Sequence, residues 1–242
     1  MNRFFVFLFV GVLLAPSEGA WASSAVDEND VSDDTSEFIS LFDGETLDGW
    51  SGEPAFWRVE DGHIVAETTA ENRTPVNTFL VWEGGEVYDF ELILRYKVDT
   101  EWANSGVQIR SERFDDYRVR GYQIDIATED WITGIFYEEG GRSVLARRGQ
   151  TLRIGADGAK ETSRFADEDE LARHINANEW NEYHIIARGN HFVAHLNGNK
   201  MHDVVDNGPE ARANGILAFQ LHAGAPMRIR FTDIMLKPLS RR

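Results

Sequence analysis

The sequence predicts an all-β fold: a two-sheet antiparallel β-sandwich of jelly-roll type with one short helix. Three observations carry that prediction. Apolar and polar residues alternate with period two through many short runs, the pattern of a strand with one face in a core. Turn-forming pairs such as Asp61-Gly62, Gly140-Gly141 and Asn197-Gly198 separate these runs at short intervals. One stretch alone, residues 167–175, has a helical charge order, with Asp167 as cap, acids next, and Arg173 and His174 last. About a dozen short strands spaced in this way pack as two sheets face to face, roughly 10 Å apart.

In chain order, residues 38–42 read as a first strand and residues 43–50 as a compact Asp- and Gly-rich turn. Residues 56–60 and 63–67 make a hairpin around Asp61-Gly62, and residues 79–82 a fourth strand. In residues 90–98, Phe90, Leu92, Leu94 and Tyr96 share the core side, with Glu91, Arg95 and Lys97 outward. Residues 104–110 and 121–126 pair as the central hairpin, followed by a strand at 134–139. Residues 150–175 form one long excursion that contains the helix. A hairpin of residues 180–188 and 192–196 follows, and strands at 216–222 and 228–236 close the domain.

The chain has 242 residues, a formal charge of −17 and no cysteine. Its acidity argues against a nucleic-acid partner, which would need a basic patch. Absence of cysteine excludes disulfides, thiol catalysis and cysteine-based zinc sites. Asn2 and Arg3, the apolar run 4–14 and the small-x-small box Ala20-Trp21-Ala22 predict a signal peptide over residues 1–22, cleaved between Ala22 and Ser23. The apolar run is too short for an ordinary membrane span, and no second run of spanning length occurs. A periplasmic or secreted protein is therefore expected, with an acidic disordered linker at 23–37 and the sandwich domain at 38–242.

The central hairpin carries the functional signal. Alternation places Gln108 and Arg110 on one face of their strand, opposite Val107 and Ile109, and Gln123 and Asp125 on one face of theirs, opposite Tyr122, Ile124 and Ile126. In the strand at 216–222, Gln220 and His222 oppose Leu217, Phe219 and Leu221. A solvated outer face shows the same alternation, but long amides beside a carboxylate suit a hydroxyl-rich ligand better than the usual Lys, Glu and Thr. Six polar side chains from three stretches are expected to converge over one groove, with Val107, Ile109, Ile124 and Phe219 buried beneath.

Several stretches then match a known family in order. These are Ser40-Leu41-Phe42-Asp43-Gly44 through Asp48-Gly49-Trp50, Phe56-Trp57-Arg58-Val59, Tyr88-Asp89-Phe90-Glu91-Leu92, Asn104-Ser105-Gly106-Val107, Gly121-Tyr122-Gln123-Ile124, Thr133-Gly134-Ile135-Phe136-Tyr137, Trp180-Asn181-Glu182-Tyr183 and Leu196-Asn197-Gly198. The chain resembles the 3-keto-disaccharide hydrolase family over residues 38–237. The resemblance implies a concanavalin A-like sandwich, bacterial export and action on sugars oxidised at C3. Where the family often has a Gln-Asp-His-like segment, this chain has Gln220-Leu221-His222, without the carboxylate.

A 3-keto glycoside makes a definite chemical demand. The ketone acidifies the C2 proton, a base removes it, the C1 substituent is expelled, and water adds to the enone. His222 is the natural base, imidazole being the side chain that ionises nearest neutral pH. Arg110 is the candidate oxyanion donor, and Asp125 or Glu138 the acid or the alternative base. Alternation puts Glu138 and Glu139 on opposite faces and leaves open which one meets the groove. Asn104, Gln108, Gln123, Tyr137, Arg142 and Gln220 are the candidate sugar-binding residues, with Trp102 and Trp131 as stacking walls. Ordinary glycoside hydrolysis would instead use Asp125 and Glu138 as its carboxylate pair. The other class of function is a non-catalytic carbohydrate-binding module, which needs amides and aromatics but no base. No cofactor is expected; a divalent ion at the acidic turn 43–48 stays open.

Overall fold

The computed structural model describes residues 37–114 and 117–240; the expected signal peptide and nearly all of the acidic linker lie outside them. The described residues form two sheets. The larger contains β1 (Ile39–Ser40), β3 (Trp57–Glu60), β4 (His63–Thr68), β6 (Phe90–Val98), β11 (Gln150–Ile154), β12 (Lys160–Arg164), β13 (Asn181–Arg188), β14 (His191–Leu196), β15 (Asn199–Asp206) and β17 (Met227–Pro238). The smaller contains β2 (Trp50–Ser51), β5 (Thr78–Trp82), β7 (Asn104–Arg113), β8 (Val119–Ala127), β9 (Phe136–Glu139), β10 (Ser143–Ala146) and β16 (Ile216–Leu221). Helix α1 spans Glu168–Ala172.

Strand order in the larger sheet is β12-β11-β15-β14-β13-β6-β17-β4-β3, with β1 on β17; in the smaller it is β10-β9-β8-β7-β16-β5-β2. Both late strands insert between early ones, β17 between β6 and β4 and β16 between β7 and β5. Sheet closure thus waits on the C-terminal fifth of the chain. Aromatic side chains fill the space between the sheets. Phe219 of β16 stacks on Phe231 of β17 with ring centres 4.2 Å apart and planes 4° from parallel. Tyr122 and Phe136 of the smaller sheet pack on Phe192 of the larger. Each fully buried aromatic or aliphatic side chain contributes about 1.5–3 kcal/mol by leaving water. Val107, Ile109, Ile124 and Phe219 all lie in this core, as alternation requires.

The helix begins where its cap predicts: the Asp167 carboxylate accepts from the amides of Asp169 (2.9 Å) and Glu170 (3.0 Å). It is shorter than the charge pattern suggests. Two strands, β11 and β12, occupy the first part of the expected excursion, and β11 pairs in parallel with β15. β12 is exposed throughout, so no buried face marks it in the sequence. In β15 the adjacent residues Met201 and His202 are both buried, which breaks the period-two pattern.

A second irregularity matters more. Pairing of β7 with β8 slips between Ile109 and Glu112, and Arg110 sits at φ 43°. This is a β-bulge, which inserts one extra residue and inverts the alternation beyond it. Ser111 takes the outward position and donates to Gln108 Oε1 at 2.7 Å. Arg110 turns inward. Its Nε donates to the Tyr88 carbonyl (2.6 Å), its Nη1 to the Gly189 carbonyl, and its Nη2 pairs with Asp89 at 3.0 Å. The guanidinium lies over the Phe192 ring, 5.0 Å from its centre. Arg110 is thus a fully buried cross-sheet tie and does not face the groove.

Candidate active site

Residues directly opposite one another in an antiparallel ladder share a face. One such row crosses six strands of the smaller sheet: Val81, Ala218, Gln108, Gln123, Tyr137 and Val144. A neighbouring position pairs Asp125 with Gly106. Together these residues form the outward floor of the sheet. Above it lies a cavity of about 200 Å³ lined by Asn77, Asn104, Gln123, Asp125, Trp131, Ile132, Ile135, Tyr137, Glu139, Val144, Gln220 and His222. Two glycines make room for it. At Gly106 an added Cβ would fall 2.6 Å from the Gln123 side chain, so only glycine lets that amide lie flat. At Gly121, φ 147°, a Cβ would meet Ser111; Gly121 faces Glu139 across the ladder and leaves the space over that position open.

The floor is a chain of amides. Ser111 donates to Gln108, Gln108 Nε2 to Gln123 Oε1, and Gln123 Nε2 to Asp125 Oδ1. Gln108 therefore lies beneath the cavity and orients Gln123 rather than lining the space itself. Glu139 accepts from Asn77 Nδ2 and Gln220 Nε2, both at 3.2 Å. Asn77 is fixed in turn by accepting from the Ala223 amide at 3.0 Å.

Asp125 is buried, and burial pushes its carboxyl up to about 8; the Gln123 amide opposes this rise and the charge of Glu139 adds to it. Asp125 thus holds a proton at neutral pH. Burial, with the charges of Glu139 and Asp125, also raises the Tyr137 phenol, which stays an O–H donor. His222 bonds through Nδ1 to the Ala223 carbonyl. A carbonyl can only accept, so Nδ1 carries the hydrogen and Nε2 of the neutral ring keeps its lone pair. The Trp102 ring meets His222 edge-on, centres 6.3 Å apart, and its Nε1 donates to Glu129 at 3.0 Å. Trp102 supports His222 from outside the cavity.

Behind the site, buried polar groups hold the 128–135 loop that carries Trp131 and Ile132. Arg148 donates to the carbonyls of Thr133 (2.7 Å) and Asp130. His202 bonds through Nδ1 to the Gly134 carbonyl at 2.9 Å, and burial lowers its imidazole to about 4. Burial thus keeps His202 neutral, although its Nδ1–H bond to the carbonyl favours the charged form. Tyr183 of β13 donates to the Asp125 carbonyl at 2.7 Å, tying the larger sheet to the site. The Arg147 guanidinium sits 5.3 Å over the Trp131 ring.

The structure brings together Asn104, Gln123, Asp125, Trp131, Tyr137, Gln220 and His222 of the expected site. It removes three. Arg110 is turned inward by the bulge. Glu138 points to the core side of β9, where it binds Arg142 and approaches Arg212 at 3.7 Å. Arg142 bridges Glu138 and Asp206 (2.7 Å) over the Tyr122 ring and stays out of the cavity. Glu139, on the opposite face from Glu138, is the second carboxylate. Asn77 arrives from the turn just before β5, and no sequence pattern marks it. The acidic turn is self-contained: Asp43 accepts from Glu45 N (2.7 Å), Thr46 N (2.8 Å) and Thr46 Oγ1 (2.9 Å). Among the described residues no group of three or more His, Asp or Glu side chains is arranged to hold a metal ion.

Jelly-roll sandwiches host carbohydrate-active proteins among others, so the comparisons with known proteins bear on the class. The chain belongs to the family described as the 3-keto-alpha-glucoside-1,2-lyase-like domain, which it matches over residues 37–237. No curated protein matches the sequence. Among solved structures, a candidate glycosyl hydrolase from Parabacteroides distasonis shares 22% identity with a TM-score of 0.55, covering 84% of this chain and 100% of that one. A Bacillus subtilis protein of galectin-like fold shares 9% identity with a TM-score of 0.55, covering 81% of this chain and 92% of that one. The B. subtilis carbohydrate-binding module CBM66 shares 12% identity with a TM-score of 0.53, covering 78% and 95%. At these identities the likeness is one of fold.

Proposed function

We propose that this protein is an exported enzyme that cleaves 3-keto-glycosides by C2 proton abstraction, elimination and hydration. The observation that supports this reading is the single cavity shared by His222, Asp125 and Glu139, with the amides of Asn77, Asn104, Gln123 and Gln220 around them. Its volume suits one sugar ring better than a long oligosaccharide, being below the roughly 300–1,000 Å³ of drug-sized pockets.

His222 Nε2 takes the C2 proton, and the C2–H pair moves toward the adjacent C3 carbonyl. The enolate oxygen that forms is met by the Tyr137 hydroxyl or the Asn104 amide. The enolate pair then returns to make the C1–C2 double bond as the C1–O bond breaks. The departing oxygen takes the proton held on Asp125. Water then adds its oxygen at C1 and gives a proton to Asp125, His222 returns a proton to C2, and the free keto sugar results. Burial keeps the proton on Asp125, with the charge of Glu139 adding to it, and Glu139, held by Asn77 and Gln220, accepts sugar hydroxyls. An imidazole with a free ring nitrogen beside a carboxyl that keeps its proton is the division of labour a paired base and acid need.

The test is NMR of methyl 3-keto-glucoside with purified protein in D2O. Keto-sugar release with deuterium at C2 is expected, lost in His222→Ala. Release from an unoxidised glycoside without C2 exchange would indicate ordinary hydrolysis by Asp125 and Glu139. Saturable binding without turnover would make the protein a binding module.

A further inference from the structure

The outward face of the smaller sheet does not end at the polar cavity. Beyond Glu139 and Asn77 it turns apolar. Phe79, Val81, Val119 and Ala218 form a separate cluster, each at most 5% exposed, on the side away from the main core. Over it lies a second cavity of about 580 Å³ with Phe79 and Val119 at its base and Val76 and Phe114 at its rim. Val76 is 50% exposed and Phe114 42%. An outward sheet face that meets only water is ordinarily polar. Large exposed apolar side chains grouped around a hollow mark a ligand site.

Two observations join this hollow to the polar cavity. Asn77 and Glu139 line both. They also bond to each other at 3.2 Å, so they form the shared wall. Arg120 lines the apolar side, and its Nε is buried with no hydrogen-bond partner among the described residues.

We propose that the apolar hollow is a subsite for the group leaving C1, and that this group is aromatic rather than a second sugar. The inference rests on the proposed function. A sugar ring among the amides directs its C1 substituent across the Glu139–Asn77 wall. Polar lining is confined to the shared Asn77–Glu139 wall, Arg118 and Arg120, so a second sugar would leave hydroxyls unpartnered against Phe79, Val119, Val76 and Phe114. An aromatic ring would cover those apolar side chains.

The experiment compares methyl, benzyl and glucosyl 3-keto-glucosides. Methanol and benzyl alcohol are leaving groups of similar basicity, so their ratio reports binding rather than bond strength. Burying a phenyl ring should raise kcat/KM for the benzyl compound over the methyl one by on the order of tenfold or more. Phe114→Ala and Val76→Ser, both at exposed positions, should cut that ratio about fivefold. Equal rates for methyl and benzyl, or a preference for the glucosyl compound unaffected by either substitution, overturns the subsite. Saturation-transfer NMR with benzyl glucoside reads the hollow without turnover. Saturation of the ring protons that fades in both variants supports the subsite even if no 3-keto-glycoside is cleaved, an outcome that sinks the proposed reaction alone. No ring saturation overturns the subsite whatever the reaction.

Discussion

Replacing Asp125 by Asn should change the pH dependence of stability in a way that follows from burial alone. The carboxyl titrates near 3.8 in the unfolded chain and is pushed up to about 8 in the fold. Between those values the native state keeps a proton that the unfolded state has released. The Asp125 contribution to stability therefore falls as pH rises, by about 1.4 kcal/mol per pH unit, and the loss is complete above the folded value. From pH 5 to pH 8 that is about 4 kcal/mol, a large part of the 5–15 kcal/mol that holds a typical domain together. His202 acts in the opposite sense. Its imidazole, lowered from 6.5 to about 4, is neutral in the fold and charged in the unfolded chain between those values, so its contribution rises with pH there. The two slopes nearly cancel from pH 4 to 6.5, and only the Asp125 decline remains above. Asp125→Asn removes that decline. Relative to wild type, the variant should gain about 1.4 kcal/mol per pH unit, or roughly 8–16 °C in Tm between pH 5 and 8. Thermal and urea melts of both proteins across that range check it. Parallel pH profiles would refute the assignment of a buried, protonated Asp125. The same variant should lose on the order of 100-fold or more in turnover on a 3-keto-glycoside.

Three further outcomes are expected. Arg110→Met should destabilise the fold by about 3–5 kcal/mol by leaving Asp89 and buried carbonyls without their partner, while correctly folded protein keeps its sugar affinity; urea titration and calorimetric binding separate the two. Gly106→Ala should displace the Gln123 amide, costing about 1–3 kcal/mol and most of the activity, whereas Ala at Gly189, strained at φ 56° but remote from the cavity, should cost stability without changing the activity of the folded protein; parallel melts and rates decide. Intact-mass measurement of exported protein should show a chain starting at Ser23, and a mass that retains residues 1–22 would mean the segment is an anchor.

Much of the site was legible because side-chain direction in a strand alternates strictly. Tyr122, Ile124 and Ile126 in the core imply Gln123 and Asp125 outside, and the same logic pairs Gln220 with His222. The logic fails where the backbone departs from regular pleating. At Arg110 one extra residue inverts the alternation, and a long polar side chain in a polar stretch carries no mark of that inversion. β12 and β15 escaped for a related reason, the first having no buried face and the second two adjacent buried residues.

The sequence by itself determined the all-β class, the position and cap of the helix, the buried faces of the central strands and the resemblance that places the chain in its family. These depend on local periodicity and on residues close in the chain. Tertiary structure alone decided that Glu139 rather than Glu138 meets the cavity, that Asn77, just before β5, completes it, that Arg110 ties the sheets together, and that Asp125 keeps its proton. Each of those depends on strands far apart in sequence: β16 lies between β7 and β5, and β9 lies against β8 in one register out of several. Burial, the cause of the Asp125 shift, is a property of the assembled sheet and its covering loop, and no local pattern carries it.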